Sequence, residues 1–292
     1  MASGASTAMI REAVVAGTFY AGTRQALEEQ LNSCFLSPLG PGRLPDENPH
    51  SIARVSGVVS PHAGYMYSGP VAAWAFLRLS HAHVPSTVVL LGPNHRGVGF
   101  PVATMTKGSW QTPLGNVDID VNFARLLVSE AGDLLRDDGR AHAGEHSLEV
   151  QIPFLQFVFG QGFQIVPISL ADQRASTCMR LGKVLAQCAR GREDILFLAS
   201  TDLSHYHSEE IAQREDQRFI KAVLTGEAEN ISMLASSPGF SVCGYGTVIA
   251  VLEATACLAS RQIKLLKYAT SAAVTGQTDA VVGYAALSVE PE

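Results

Sequence analysis

A chain of 292 residues, 47% of them hydrophobic and 16% charged, can bury a large core and is no disordered or solvating polymer. Its formal net charge of −6, with no block of like charges, excludes general nucleic-acid binding, which needs lysine and arginine clustered against phosphates. The opening MASGASTAMIRE has neither a basic start nor a sustained apolar core, and no apolar run nears the roughly 18 residues that cross a bilayer, so neither a signal peptide nor membrane contact is expected.

The five cysteines, Cys34, Cys178, Cys188, Cys243 and Cys257, form no CxxC pair and are odd in number. This excludes a zinc ribbon and a thioredoxin-like motif, and the expected compartment is the reducing cytoplasm. Cys178, Cys188 and Cys257 lie in helical stretches and read as buried free thiols.

In chain order, Ala26, Leu27, Leu31 and Phe35 recur at helical spacing, so residues 22–35 read as a helix. The proline- and glycine-rich SPLGPGRLPDENPHS that follows reads as an exposed loop, the best linker candidate, with too little sequence before it to make a domain. The apolar run 55–59 reads as a strand, and a helix is expected over 70–79 with Pro70 in its first turn. Further strands are expected at 87–91, 164–170, 195–199, 265–271 and 280–289. Helical periodicity fills the intervals around 120–131, 147–158, 174–190, 209–224 and 246–259. Short, nearly all-apolar strands alternating with helices predict one α/β domain over residues 1–292, with a mostly parallel central sheet and helices on both faces.

Polar residues concentrate where three strands end. Strand 55–59 runs into SPHAGYMYSG, strand 87–91 into GPNHRG, and strand 195–199 into STDLSHYH, so His62, His95 and His205 occupy equivalent positions. Sites in open α/β sheets form beyond the carboxyl ends of strands, so these side chains are expected to converge. A single histidine after a strand is ordinarily a surface or capping residue; three at matching positions favour a shared site. Cys243, in GFSVCGYG, stands just ahead of a helix starting near Gly246, where the helix dipole favours a thiolate; the plainer reading is a small residue packing the helix start. Two imidazoles and a thiolate suit zinc, copper or iron.

The stretch AHAGEHSLEVQIPFL adds His142, Glu145, His146 and Glu149. Glu145 reads as a capping carboxylate, with support of a metal ligand or proton donation as its competing roles. Asp202, three residues before His205, could orient a histidine; His142 reads as a loop residue and His207 as surface. Tyr65, Tyr67 and Trp110 sit in loop segments and could line a pocket or pack the core. No GxGxxG, P-loop or GxSxG is present, which removes the usual support for nucleotide binding and α/β-hydrolase chemistry.

The segments REAVVAGTFY, SPHAGYMYSG, LLGPNHRG, WQTPLGNVDID, EHSLEVQIPFL, STDLSHY, CGYG and VVGYAAL, in this order from Arg11 to Leu287, resemble the Memo family. The resemblance implies a fold similar to the class III extradiol dioxygenases, which hold Fe(II) with two histidines and a glutamate. Carried over, His62 and His95 are the histidine ligands, Cys243 stands where those enzymes have the carboxylate, His205 matches their acid–base histidine and His146 a second pocket histidine. The metal implied first is iron(II), with copper or zinc as alternatives. A small-molecule substrate or a peptide is the implied ligand, and radical-SAM and AMMECR1-type proteins are the implied partners. Three functions follow: a metal-dependent oxidoreductase using His62, His95 and Cys243, with His205, His146, Asp202 and Glu145 in proton handling and pocket tuning; a non-catalytic adaptor reusing the cleft; and metal-free nucleophilic catalysis by Cys243.

Overall fold

The apolar runs of the sequence become the centre of a nine-stranded sheet. A computed structural model of the protein describes residues 9–46 and 54–292. Its strands are β1 (Ile10–Arg11), β2 (Gly57–Ser60), β3 (Thr87–Pro93), β4 (Val102–Thr104), β5 (Ser109–Thr112), β6 (Gly115–Asp118), β7 (Arg136–Asp137), β8 (Gln164–Leu170), β9 (Ile195–Ser200), β10 (His205–His207), β11 (Arg261–Thr270) and β12 (Val281–Pro291). The helices are α1 (Arg24–Leu36), α2 (Tyr65–Ser80), α3 (Val121–Ala131), α4 (Arg140–Ala143), α5 (Ile152–Phe159), α6 (Ala175–Ala189), α7 (Glu209–Thr225), α8 (Ala228–Ala235), α9 (Tyr245–Leu258) and α10 (Ala272–Thr275).

The main sheet runs β10-β12-β2-β9-β3-β8-β4-β7, with β11 along the other side of β12. The four central strands β2, β9, β3 and β8 are parallel, as their unbroken apolar character predicts. Antiparallel strands complete a mixed sheet: β12 on β2, β10 and β11 on β12, and β4 on β8. The short link between β11 and β12 explains their pairing, because antiparallel neighbours need no long crossover. A separate small sheet, β1-β5-β6, was not expected; strands this short carry too few alternations to register in a sequence pattern.

Helices cover both faces, with α1, α2 and α5 packed together in one layer and α3, α6 and α9 in another. One hydrophobic cluster extends from Val15 to Val289. Helix α2 starts five residues ahead of expectation, because the Tyr65 amide donates to Phe19 O and Gly64 O accepts from Tyr67 and Ser68, which leaves Pro70 inside the helix. The first part of the expected linker folds back on α1 and α2: Trp74 Nε1 donates to Leu39 O at 2.9 Å, and Gly40 lies so close to the Cys34 carbonyl that a side chain there would collide. The rest of that loop, residues 47–51, lies outside the described residues. Cys34 and Cys178 are buried, whereas Cys257 is exposed, contrary to the buried-thiol reading. Among the described residues, no helix is long and apolar enough to cross a membrane.

Candidate metal centre

Register sets the stage. Ser60 pairs with Ser200 and Leu91 with Ala199, so β2, β9 and β3 end nearly level and release their following loops on the same edge. His62 and His95 therefore meet, with ring centroids 5.2 Å apart, and Cys243 arrives from the loop before α9. One ligand atom from each of His62, His95 and Cys243 lies within 4.8 Å of the other two. Gly244 makes this approach possible: a side chain there would meet Ser200 O at 2.4 Å.

The ring state of each histidine follows from its neighbours. The Ser200 hydroxyl donates to Ser147 O at 2.6 Å and accepts from Gln151 Nε2 at 2.8 Å. A hydroxyl has one proton and two acceptor positions, so its contact with His62 Nδ1 at 2.9 Å requires Nδ1 to carry the hydrogen. His62 Nε2 is then a lone pair, and it faces Cys243 Sγ at 3.2 Å. Burial above all, followed by the neighbouring His95, pushes the His62 pKa well below the usual imidazole value, which keeps the ring neutral.

His95 has its Nδ1 hydrogen held by a charged partner. Glu145 Oε1 accepts from its Nδ1 at 2.9 Å and Oε2 from its backbone amide at 2.6 Å. The same carboxylate accepts from the amides of His146 and Ser147, both at 2.9 Å. Burial opposes its ionisation, but the His95 hydrogen bond and charge outweigh it and hold Glu145 at about 2. Glu145 thus caps the turn and holds the His95 ring with one carboxylate. The His146 ring stacks on His95 at 4.8 Å and rests against Phe19 at 4.6 Å. Burial lowers its pKa to about 4; Glu145 opposes this, and His95 and Arg96 add to it.

Beneath this turn lies a buried ion pair that sequence reasoning missed. Arg11 Nη1 donates to Glu149 at 2.6 Å, and Glu149 also accepts from the Val14 and Val15 amides and the Tyr20 hydroxyl. Arg11 further donates to His142 O and Glu145 O, tying the whole 142–149 segment to the amino-terminal strand. His142, read as a loop residue, belongs to α4 and is fully buried, and Trp110, also read as loop, is a buried residue of β5. Tyr65 lies buried in the first turn of α2, where its hydroxyl donates to Val150 O.

Cys243 departs from the thiolate expectation. Although the residue is only partly buried, desolvation and the nearby Asp202 charge push its thiol up, overriding the helix amino terminus behind it. Binding a metal would have to displace that proton. Asp202 orients a histidine, but through the backbone: its Oδ1 accepts the His62 amide at 2.7 Å. Burial raises its pKa to about 6.

His205 donates from Nδ1 to the carbonyls of Leu203 and Ser241, at 2.8 and 2.9 Å, which leaves its Nε2 as an acceptor. It lies close to both His62 and Asp202, yet it joins neither ligand group found among the described residues. Beside it Tyr206 is 80% exposed and holds a positive φ of 61°. The second ligand group, His95, Glu145 and His146, has its carboxylate already occupied by amide and imidazole protons.

A mixed α/β sheet that gathers two imidazoles and a cysteine at its carboxyl edge defines a protein with a candidate mononuclear metal pocket. An uncharacterized Escherichia coli K12 protein of known structure is similar in fold, at a TM-score of 0.54 and 14% identity over 80% of this chain and 99% of that one. The model of the Memo-like protein family matches residues 11–288, and the chain belongs to that family. It is 42% identical to a MEMO1 family protein of Methanopyrus kandleri over 96% of this chain and 98% of the relative. It is 40% identical to one of Nitrosopumilus maritimus over 96% and 99%.

Proposed function

We propose that the protein is a non-haem metal-dependent oxidoreductase acting on a small substrate, with iron(II) as the first-ranked ion and copper or zinc as alternatives. The observation that carries this reading is the donor set: His62 and His95 have Nδ1 engaged and Nε2 free, and they converge with Cys243. Such a set fits a metal. The 3.2 Å between Cys243 Sγ and His62 Nε2 is close to the separation of about 3.3–3.7 Å expected for donors on one tetrahedral ion with bonds of ~2.0–2.3 Å. Three protein ligands leave a position open to a substrate. A bound iron or copper ion would supply one-electron chemistry there. The chain supplies the rest: Ser200 and Glu145 fix the ligand rings, Asp202 holds the His62 turn, and His205 Nε2 is available to take a proton.

Metal analysis of protein purified without air tests the reading. Wild type is expected to retain about one ion, His62→Ala and Cys243→Ser to lose it, and His205→Ala to keep it. In a catechol ring-cleavage assay with Fe(II), His205→Ala should lower turnover by about 10²–10⁴-fold. A wild-type chain that takes up no ion under these conditions removes the proposal. A second reading, a non-catalytic adaptor, is favoured by exposed apolar side chains near the site residues in sequence: Met66, four residues after His62, is 64% exposed, and Tyr206, next to His205, is 80% exposed. Full metal occupancy without turnover on any substrate, together with partner capture that Tyr206→Ser abolishes, would select it. The Cys243–His62 contact also suits a nucleophilic pair, but the raised thiol pKa weighs against that chemistry.

A further inference from the structure

We propose that Gln173 is a positioning residue for Cys243: its side-chain amide sets the turn that carries the sulfur to His62 and His95. The inference rests on the reading of Cys243 as a metal ligand. Gln173 lies in the loop between β8 and α6, 70 residues before the cysteine. Its Nε2 donates to Cys243 O at 2.7 Å, and its Oε1 accepts from Gly246 N at 2.9 Å. A backbone carbonyl only accepts and a backbone amide only donates, so these two contacts fix which end of the side-chain amide is which. One flat group thus holds both ends of the turn from Cys243 to Gly246.

The need for Gln173 follows from the helix behind the cysteine. Helix α9 begins at Tyr245, and its first amides require acceptors that the helix cannot supply. A serine, threonine, aspartate or asparagine at the N-cap ordinarily provides one. Here the N-cap is Gly244, which has no side chain to offer. No larger residue fits, because Ser200 O and Thr201 Cβ lie 2.4 and 2.7 Å from where its Cβ would stand. The close packing that brings Cys243 to the sheet edge therefore costs α9 its own cap, and Gln173 supplies the acceptor from another loop. Gly246 matches this arrangement: a Cβ there would meet Gln173 Cβ and Cys178 Sγ, both at 2.8 Å. Gln173 is itself held in place. The Ala171 and Asp172 amides donate to Pro101 O at 2.8 and 3.1 Å, and the Asp172 carboxylate accepts from the Arg174 amide and the Thr177 hydroxyl. The residues after β9 also grip the turn, with Gly244 N donating to Thr201 Oγ1 at 2.9 Å and Asp202 N to Cys243 Sγ at 3.4 Å. Neither of those contacts reaches the first amides of α9.

Titration of the full chain with Co(II) tests the assignment, because the absorption of bound Co(II) reports its bond to thiolate sulfur. Gln173→Met keeps the length of the side chain and removes both hydrogen bonds. It should weaken Co(II) binding about 10- to 100-fold, the usual effect of losing a group that orients a ligand, and reduce the sulfur-to-cobalt absorption of the saturated protein. Gln173→Ala, too small to collide with Gly246, should do the same. Asp120→Ala removes an ordinary helix cap elsewhere, where Asp120 Oδ1 accepts from Phe123 N at the start of α3. It should lower stability yet leave Co(II) affinity and absorption as in wild type. Alkylation of Cys243 by iodoacetamide, followed in its own peptide by mass spectrometry, gives a reading on metal-free protein. A loosened turn exposes the thiol, so both Gln173 variants should react about 10-fold faster than wild type, and Asp120→Ala no faster. If wild type binds no Co(II), the metal reading fails, and the alkylation rates alone decide whether Gln173 holds the turn. The proposal is overturned if both Gln173 variants bind Co(II) with wild-type affinity and absorption, if they are alkylated at the wild-type rate, or if Asp120→Ala changes either readout as much.

Discussion

The two candidate ligand histidines, His62 and His95, sit 5.2 Å apart, centroid to centroid, in opposite kinds of surroundings. His62, 2% exposed, is held by a neutral chain of Ser200, Gln151 and the Ser147 carbonyl. The His95 side chain is one-third exposed and is held by the Glu145 carboxylate, on a turn that the buried Arg11–Glu149 pair fastens from below. Both arrangements place a hydrogen on Nδ1. The difference lies in cost and tuning. A hydroxyl network can be buried completely because it brings no charge out of water. A carboxylate partner makes its imidazole a stronger donor to metal, but it needs several protons around it to remain ionised.

Removing the charge beneath the His95 half should have the largest effect. Arg11→Met leaves Glu149 buried with no cation, and a loss of about 3–5 kcal/mol in unfolding free energy is expected from chemical denaturation. A loss under 1 kcal/mol would mean that the pair does not anchor the 142–149 segment. Next comes the pH response of the same half. Burial, with the Arg11 charge beside it, holds His142 down at about 4, below its unfolded value of 6.5. The unfolded chain therefore binds the extra proton between these values. His142 costs nothing above pH 6.5, and stability falls by up to about 3 kcal/mol as pH drops toward 4. Because both of its ring nitrogens lack hydrogen-bond partners among the described residues, His142→Phe should flatten melting temperature against pH across this window without lowering it at pH 7. An unchanged slope assigns the acid response to other groups.

Two substitutions compare the tethers directly. Glu145→Gln replaces an acceptor of four protons by a group that must also donate, and metal affinity should fall about 10- to 100-fold in a competition assay with a chelator. Ser200→Ala should cost less, about tenfold, because it deprives His62 Nδ1 of one neutral acceptor. Nitrogen-15 spectra of the imidazoles should then show the His62 ring exchanging between its two neutral forms, while His95 keeps its hydrogen on Nδ1. If Ser200→Ala weakens metal binding more than Glu145→Gln, the neutral tether is the stronger one and the comparison reverses.

The sequence by itself determined the family, the α/β class, the central strands and the position of His62, His95 and His205 just past strand ends. Those features are local: an apolar run, its period and the glycine or proline that stops it lie within a few residues of one another. Gly244 and Gly92 were legible as residues, but the contacts that demand them, against the Ser200 carbonyl and against the Ser147 and Leu148 side chains, exist only after folding. The ring states of the histidines, the protonation of Cys243 and the role of Asp202 were decided by partners far away in the chain. Arg11 and Glu149 are 138 residues apart, as are His62 and Ser200. No pattern of neighbours records such a pairing, because the energy of a buried hydrogen bond or ion pair depends on what surrounds it in space. Water removed by packing makes the Ser200 node and the Arg11–Glu149 pair matter, and only the tertiary structure removes that water.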